Sequence, residues 1–408
     1  MKRNLARDLS SIRREFPILS RCIYLVSHSL GAVPRKAYDG LRKYYALWAE
    51  EGVTAWQKEW WLLGQKIGNE IASFIGAGKN QVTMITNVTL CHWIVLSTQF
   101  AMTKSRRDTI VMTDHDFPSV IYAVTRIAQF MGWKVRMIRS FGQPGIDVEK
   151  ILKQIDEQTL FVATSHVYFN SAFIQNIPAI VEKSRRVGAL TLIDGYHGPG
   201  VIPLDVRKLG VDFYTGGCLK WLCGGPGNAF LYVRPELAAK LKPQLTGWFA
   251  HKNPFLFGHK MDYAQNSYKF NSGTPAIANF YTALAGLDII KDIGILQIRN
   301  HSLRQTKLII NKARERGFRL FTPEKDESRG GSVSLALPHA FQVKQALEAK
   351  QIKLDFRKGR NAQENDSLRI GPHFYTKEDE IEILFEAVDS ILATGEYRKF
   401  SAKLSRVT

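Results

Sequence analysis

Between residues 82 and 233 the sequence alternates short apolar segments with longer amphipathic ones, and this alternation restricts the possible folds more than any other feature. The apolar segments are rich in β-branched residues, which is typical of buried strands. We predict strands at residues 82–86, 109–113, 135–138, 160–167, 190–194, 212–215 and 229–233. Helices predicted near residues 88–101, 118–131, 147–155 and 177–187 separate the earlier strands. Strands separated by helices favour an α/β fold with a mostly parallel, seven-stranded sheet flanked by helices.

The rest of the chain is predicted to form an N-terminal segment and a smaller C-terminal α/β domain. A short helix at residues 8–16 precedes a strand, a glycine turn and a helical region from Pro34 that breaks near Gly52. Further helices are predicted at residues 276–291, 295–316, 340–350 and 377–393, with short strands between them. We therefore expect an N-terminal segment (1–45) that packs with the small domain, a large domain (46–275) and a small domain (276–408).

Composition agrees with two domains and restricts the classes of partner. The chain has 408 residues, 45% of them hydrophobic, which is enough for one large core and a second smaller one. Its net charge is +19, but the basic residues are scattered and form no recognisable nucleic-acid module. We favour a solvated basic surface, which could also attract an anionic substrate or cofactor, over nucleic-acid binding.

The cysteines and the N-terminus indicate a protein of the cytoplasm. Cys22, Cys91, Cys218 and Cys223 form no disulfide framework and no CxxC pair, which favours a reducing compartment and argues against a structural metal site. The first residues lack the apolar region of a secretory signal, and no apolar run approaches the roughly 18 residues of a membrane span. We expect no metal and no membrane partner.

Polar residues that could act in catalysis or binding lie where the predicted strands end. Ligands of such sheets bind beyond the carboxyl ends of the strands. The polar residues at or beyond these ends are Thr86, Asn87, Asp114, His115, Ser165, His166, Asp194 and Lys220. An acid after one buried strand and a lysine after the next suit pyridoxal phosphate (PLP), which needs a carboxylate facing its ring nitrogen and a Schiff-base lysine.

Lys220 and Asp194 are the principal catalytic candidates. Lys220 lies between Leu219 and Trp221, and such an apolar setting lowers the pKa of an amine and favours its nucleophilic form. We favour this role over that of a surface lysine. Asp194 would stabilise the protonated ring nitrogen, or it could cap the next turn. His197 could pack over Asp194, meet the cofactor ring, or be a structural histidine.

Other residues could bind the remaining parts of a cofactor and its substrate. The strand-to-helix turn at residues 86–89 offers free N–H groups for a phosphate, although ordinary helix caps look similar. Phe117 could stack on a flat ring or belong to the core. Arg369, at the end of an apolar stretch, could hold a substrate carboxylate or lie on the surface.

These motifs resemble those of fold-type I PLP enzymes of the class V aminotransferase superfamily, and within it the chain is most similar to kynureninase. The resemblance covers nearly the whole sequence. The matching motifs are His28-Ser29-Leu30-Gly31, Trp48 with Gly52-Val53, Phe117-Pro118-Ser119, Asp194 with His197, Lys220 with the glycine-rich turn 224–227, Gly247–His251, and the stretch around Arg369.

The resemblance implies a role for each matching residue. Catalysis falls to Lys220, Asp194 and His197. The implied cofactor-binding residues are Val88, Thr89, Phe117, Ser119, Asp194, His197, Lys220, Trp248 and Thr274. Arg369 and His28 are implied to bind the substrate. Trp248 and Thr274 are implied to reach the cofactor phosphate of a neighbouring subunit, which makes the protein a homodimer.

Three departures from the kynureninase pattern leave the reaction open. Leu219 and Phe169 replace tyrosines, and His28 replaces an asparagine. The leading hypothesis is a PLP enzyme that acts on an α-amino acid through a Lys220 Schiff base, with kynureninase-like hydrolysis of a Cβ–Cγ bond or related lyase chemistry. The alternatives are an aminotransferase, a β-lyase of another amino acid, and a catalytically silent PLP-fold binding protein. A cysteine desulfurase is disfavoured because no cysteine follows Cys223.

Overall fold

The structure, a computed structural model, describes residues 5–102, 107–359 and 366–403. Its N-terminal part contains α1 (Leu5–Arg14), β1 (Ile23–Tyr24), α2 (Lys36–Glu51) and α3 (Trp61–Phe74). Gly52 ends α2 with a φ of 53°, which confirms the predicted break, because glycine adopts this left-handed conformation without a steric penalty. A 3-10 turn (Gly52–Thr54) and a π-helical turn (Trp56–Trp60) lead into α3.

A seven-stranded sheet forms the centre of the molecule. Along the chain its strands and helices are β2 (Val82–Ile85), α4 (Val88–Met102), β3 (Thr109–Thr113), α5 (Pro118–Met131), β4 (Lys134–Ile138), α6 (Val148–Leu152), β5 (Thr159–Ser165), α7 (Ile177–Val187), β6 (Leu190–Asp194), α8 (Val206–Leu209), β7 (Phe213–Gly217), β8 (Ala229–Val233) and α9 (Pro235–Ala238). The strand order is β2-β8-β7-β6-β5-β3-β4, and β8 runs in the direction opposite to the other six strands. The predicted mostly parallel sheet is therefore confirmed.

Two strand ends differ from the prediction by two residues, and the other strand boundaries agree within one residue. β7 continues to Gly217, beyond the predicted end at residue 215, because Gly217 still pairs with Ala229 of β8. β5 ends at Ser165 rather than at residue 167. The chain turns there, and Val167 instead makes an isolated bridge to Ile174.

Both faces of this sheet are buried. Successive residues of a strand point to opposite sides, so neighbouring residues of one strand lie in different cores. In β5, Val162 joins the core that contains residues of α3, α7 and α10, whereas Phe161 and Ala163 join the core that contains residues of α4 and α5. Helices thus cover the sheet on its two sides. This burial explains why inner strands such as β5 and β6 are largely apolar, whereas the edge strand β4 alternates apolar with charged residues.

The C-terminal part forms a second, smaller sheet. Its elements are α10 (Ile277–Ile293), α11 (Ile295–Glu315), β9 (Arg319–Leu320), β10 (Val333–Ala336), α12 (Ala340–Ala349), β11 (Ile352–Lys353), β12 (Asp355–Arg357), β13 (Ser367–Ile370) and α13 (Glu378–Thr394). Four of the strands form an antiparallel sheet in the order β12-β13-β10-β9. β1 pairs in parallel with β11, and Arg13 forms an ion pair of 2.8 Å with Glu380, so the N-terminal segment packs on this part.

The hydrophobic cores show how the parts are assembled. Phe280 and Ile290 of α10 lie in the same core as Ile67 of α3, so α10 packs on the large sheet. A separate core contains Leu25 together with residues of α11, α12 and α13. The domain borders proposed from the sequence stay predictions. No helix in the described ranges is long and apolar enough to cross a membrane.

Candidate active site

Two adjacent parallel strands bring Asp194 and Lys220 to the same edge of the large sheet. Asp194 is the last residue of β6 and pairs in register with Thr215 of β7, and Lys220 follows the end of β7. The N-terminal segment closes over this turn, since the Gly31 N–H donates to the Leu219 carbonyl at 2.9 Å. A Cβ atom at Gly31 would lie 2.1 Å from the Lys220 carbonyl oxygen, so this approach requires glycine.

The Lys220 amine is enclosed by aromatic and polar side chains. The residue is 9% exposed, and its Nζ lies 2.6 Å from Nε2 of His197. The ring centres of Tyr196 and Phe117 are 4.8 Å and 5.5 Å from Nζ. Burial lowers the pKa of Lys220 to about 7, against the opposing attraction of Asp194. A large share of the amine is therefore neutral near neutral pH, as a nucleophile or base requires.

Asp194 is a buried carboxylate without an ion-pair partner among the described residues. Its Oδ1 accepts the N–H of Tyr196 at 3.0 Å. Burial raises the pKa of its carboxyl, and neighbouring His92 acts in the opposite direction. Nε2 of the fully buried His92 and Oγ1 of Thr215 make no hydrogen bond within the described chain. A protonated ring nitrogen would give Asp194 the cationic partner that burial demands, so this strand end fits PLP.

The predicted phosphate and ring contacts lie at the starts of two helices on this side of the sheet. Val88 and Thr89 begin α4, whose first N–H groups have no partner within the helix. Asn87 caps the same helix, since its Oδ1 accepts the N–H of Leu90 at 3.0 Å. Phe117 precedes α5, and Ser119 lies in its first turn. These positions allow a phosphate at α4 and a flat ring beside Phe117.

Arg369 is buried on β13 and is already paired with an acid. Its Nε donates to Oδ2 of Asp355 at 2.8 Å, its Nη2 donates to the same oxygen, and its Nη1 donates to the Phe169 carbonyl. These bonds use three of the five guanidinium N–H groups. One N–H on each terminal nitrogen is left, which is the pair that a two-pronged carboxylate contact needs.

Arg369 reaches the lysine site through two aromatic rings. The guanidinium lies 5.7 Å from the ring centre of Phe169, and this ring is 5.3 Å from that of Phe117. Phe117 in turn faces the Lys220 amine. The structure therefore brings Lys220, Asp194, His197, Phe117 and Arg369 into one continuous site.

His28 joins the same site from the N-terminal segment. It is fully buried, with Nε2 3.5 Å from Oδ2 of Asp355, and burial lowers its pKa to about 3. Gly371 makes room for it, because a Cβ there would lie 2.0 Å from Nδ1. His28 is therefore neutral and packs against the Asp355–Arg369 pair.

Asp355 is the site residue that the sequence analysis missed. Burial acts to raise its pKa, but Arg369 and His28 outweigh this effect and hold the pKa well below its usual range. One signal was present in the sequence: an acid in an apolar strand needs a buried cation as partner. The partner itself could not be named, because β12 and β13 meet only in the folded sheet.

Trp248 and Thr274 make no described contact with this group. Trp248 belongs to an aromatic cluster that we call the aromatic face, formed by Trp61, Trp248, Phe249, Phe255 and Phe257. Thr274 is exposed. The implied role of both residues at the cofactor phosphate of a neighbouring subunit stays a prediction.

The fold and the lysine site together define a fold-type I PLP-dependent enzyme. A family model described as Aminotransferase class-V matches residues 23–384. The chain therefore belongs to the class V aminotransferase family, whose cofactor is pyridoxal phosphate.

Two curated relatives are similar over most of their length. An uncharacterized aminotransferase of Bacillus subtilis (strain 168), YcbU, is 31% identical over 93% of this chain and 96% of its own. A kynureninase of Pseudomonas fluorescens is 29% identical over 86% of each chain.

Solved structures share the fold at lower identity. The apo structure of a cysteine desulfurase from Thermococcus onnurineus NA1 has a TM-score of 0.83 at 22% identity and covers 94% of this chain and 98% of its own. A C-DES mutant with glycine covalently linked to its PLP cofactor has a TM-score of 0.82 at 23% identity, covering 92% of this chain and 99% of its own.

Proposed function

We propose that this protein is a PLP-dependent enzyme that acts on an α-amino acid through Lys220, with kynureninase-like cleavage of a Cβ–Cγ bond or related lyase chemistry. The observation that carries the proposal is the Lys220 amine, which is buried, has a pKa of about 7 and lies 2.6 Å from His197. Asp194 lies beside it on the adjacent strand. A catalytically silent scaffold has no use for a buried lysine in this state.

The cofactor residues follow from the positions described above. When bound, PLP supplies an electron sink that stabilises negative charge at the substrate Cα. Asp194 would hold the proton of the ring nitrogen, Phe117 would cover the ring, and Val88 and Thr89 would bind the phosphate with Ser119 nearby. Lys220 would hold the cofactor covalently until substrate arrives.

The substrate residues follow from the Arg369 pair. Arg369 would donate its two remaining N–H groups to the substrate carboxylate, and Asp355 would fix the plane of the guanidinium. His28 supports Asp355 from the N-terminal side. The freed, neutral Lys220 amine would then remove the proton from Cα, while His197 orients Nζ by the hydrogen bond between them.

The choice of reaction rests on the relatives and on the cysteines. The kynureninase supports hydrolysis at Cβ–Cγ, and the aminotransferase supports amino-group transfer as the alternative. The structural neighbours include a cysteine desulfurase, but Cys22, Cys91, Cys218 and Cys223 are all buried in this chain. A desulfurase needs an accessible cysteine nucleophile, so we disfavour that reaction.

The assembly and location are part of the same proposal. We infer a homodimer in which Trp248 and Thr274 reach the cofactor phosphate of the other subunit, since neither residue has a described contact with Lys220 of its own chain. The four free cysteines support a reducing location such as the cytoplasm.

The cofactor assignment is tested by the spectrum of the purified protein. The wild type should carry a visible absorption band that borohydride reduction removes, and Lys220→Ala should lack this band while keeping its fold by circular dichroism. Lys240→Ala, at an exposed lysine just after α9, is the matched control and should keep the band. A purified wild type that binds no PLP would refute the proposal.

Product analysis with kynurenine, 3-hydroxykynurenine and other amino acids then distinguishes hydrolysis from amino-group transfer.

A further inference from the structure

A cleft between the two sheets adjoins the lysine site. Phe117 and Phe169, which connect Lys220 to Arg369, also form part of its wall. The opposite wall comes from the small sheet and its flanking chain, with Phe321, Arg357 and Ser367. Whatever occupies the cleft therefore lies within reach of a group held by Arg369.

The cleft is too large for a small side chain. Its volume is about 340 Å³, which falls in the range of roughly 300–1,000 Å³ typical of small-molecule sites. The methyl group of alanine or the thiol of cysteine would leave most of this space unfilled. A substrate that fills the cleft has a long or ring-containing side chain, which the phenylalanine walls suit.

The charged residues on the cleft wall are cationic. Arg357 and Lys358 line the cleft, whereas none of the described residues that line it is an aspartate or glutamate. Nη1 of Arg357 pairs with Oδ1 of Asp355 at 3.1 Å, and the guanidinium remains partly exposed. Lys358 is exposed and makes no ion pair with a described residue. Because no described residue of the wall is acidic and Lys358 has no described ion pair, these cations favour an anionic ligand group.

We propose that this cleft is the subsite for the substrate side chain and that it selects an amino acid whose large, flat or extended side chain ends in a carboxylate or similar anion. The inference rests on the proposed function, because it takes Arg369 as the ligand of the α-carboxylate. Phe117, Phe169 and Phe321 contact the apolar body of the side chain, and Lys358 and Arg357 bind its distal anion.

The test compares two amino acids that differ at the distal position. 4-Carboxyphenylalanine and phenylalanine are titrated into the PLP-loaded enzyme, with the change in the visible spectrum as the signal. The same titrations are followed by calorimetry on the borohydride-reduced enzyme, where no reaction can proceed. The variants are Lys358→Glu, Arg357→Gln and the control Lys240→Glu, which changes the net charge as Lys358→Glu does but lies outside the cleft.

The wild type should bind 4-carboxyphenylalanine at least about fivefold more tightly than phenylalanine, the factor that one partly screened charge contact supplies. Lys358→Glu should abolish this preference, Arg357→Gln should weaken it, and Lys240→Glu should retain it. Equal affinities in the wild type, or equal losses in Lys358→Glu and Lys240→Glu, would overturn the subsite. If the proposed function fails, the purified wild type lacks the visible band. Calorimetry on the protein without PLP still measures binding of the two amino acids in the cleft, so this failure can be told apart from a failure of the subsite.

Discussion

At the scale of single residues, the site depends on a lysine whose charge is suppressed. Burial disfavours the ammonium form of Lys220, and the nearby Asp194 offsets this only in part. His197 adds no charge, because burial and the neighbouring Lys220 hold its pKa well below the usual range. The result is an amine that is half neutral near pH 7, where an ordinary lysine is almost fully protonated.

This pKa sets the pH dependence of cofactor capture. Below the pKa the amine is protonated and unreactive, so the rate at which cofactor-free protein combines with PLP should rise with pH and reach half its maximum near pH 7. Stopped-flow absorbance measures this rate. Asp194→Asn should move the midpoint to lower pH, because the attraction of Asp194 stabilises the ammonium form. A midpoint near that of an exposed lysine would contradict the buried position of Lys220.

At the scale of secondary-structure elements, a buried acid ties the ends of two strands together. Asp116 follows β3, and its Oδ2 accepts both the N–H and the hydroxyl of Thr113 at 2.9 Å. Its Oδ1 accepts the N–H and hydroxyl of Ser165, the last residue of β5, at 2.6 Å and 2.8 Å. This connection sets the position of the turn that carries Phe117 towards Lys220.

Asp116→Asn should lower the free energy of unfolding by about 1–3 kcal/mol, because the amide NH₂ would face donors and leave them unsatisfied. Urea denaturation measures the change, with the exposed Asp262→Asn as the control.

Burial raises the pKa of Asp116 to about 6, so between about pH 4 and 6 the native state binds more protons than the unfolded state. The free energy contributed by this group therefore falls as pH rises through that window. Asp116→Asn should remove that slope, and an unchanged slope would contradict the assignment.

At the scale of the whole molecule, the aromatic face continues into an exposed apolar loop. Leu256 and Phe257 are 71% and 73% exposed, next to the cluster that contains Trp248. Contiguous exposed apolar surface of this kind marks a protein interface in soluble proteins. The homodimer proposed above would cover it and would bring Trp248 to a second site.

A double substitution, Leu256→Asp with Phe257→Asp, should convert the proposed dimer into monomers. The φ of 47° at Phe257 is a conformation that aspartate tolerates, so the loop should keep its shape. Light scattering after size-exclusion chromatography measures the mass. Phe130→Asp, at a residue of α5 that is 76% exposed, is the control and should leave the mass unchanged. A wild type that is already monomeric, or a variant that stays dimeric, would exclude this face as the interface.

The sequence by itself determined the large sheet and the central pair of the site. Apolar strands separated by helices specify a parallel sheet, and such a sheet brings residues after neighbouring strands to one edge, which is why Asp194 and Lys220 could be paired in advance. The break at Gly52 was equally local, since it depends on one residue's backbone freedom.

Only the tertiary structure decided how the substrate side of the site is built. Asp355 and Arg369 are 14 residues apart and meet through the antiparallel register of β12 and β13. Arg369 also meets Phe169, 200 residues away, and His28 reaches Asp355 from the other end of the chain. Local periodicity carries no information on such contacts, because they depend on how two sheets and the N-terminal segment pack together. The same packing creates the cleft beside Phe117.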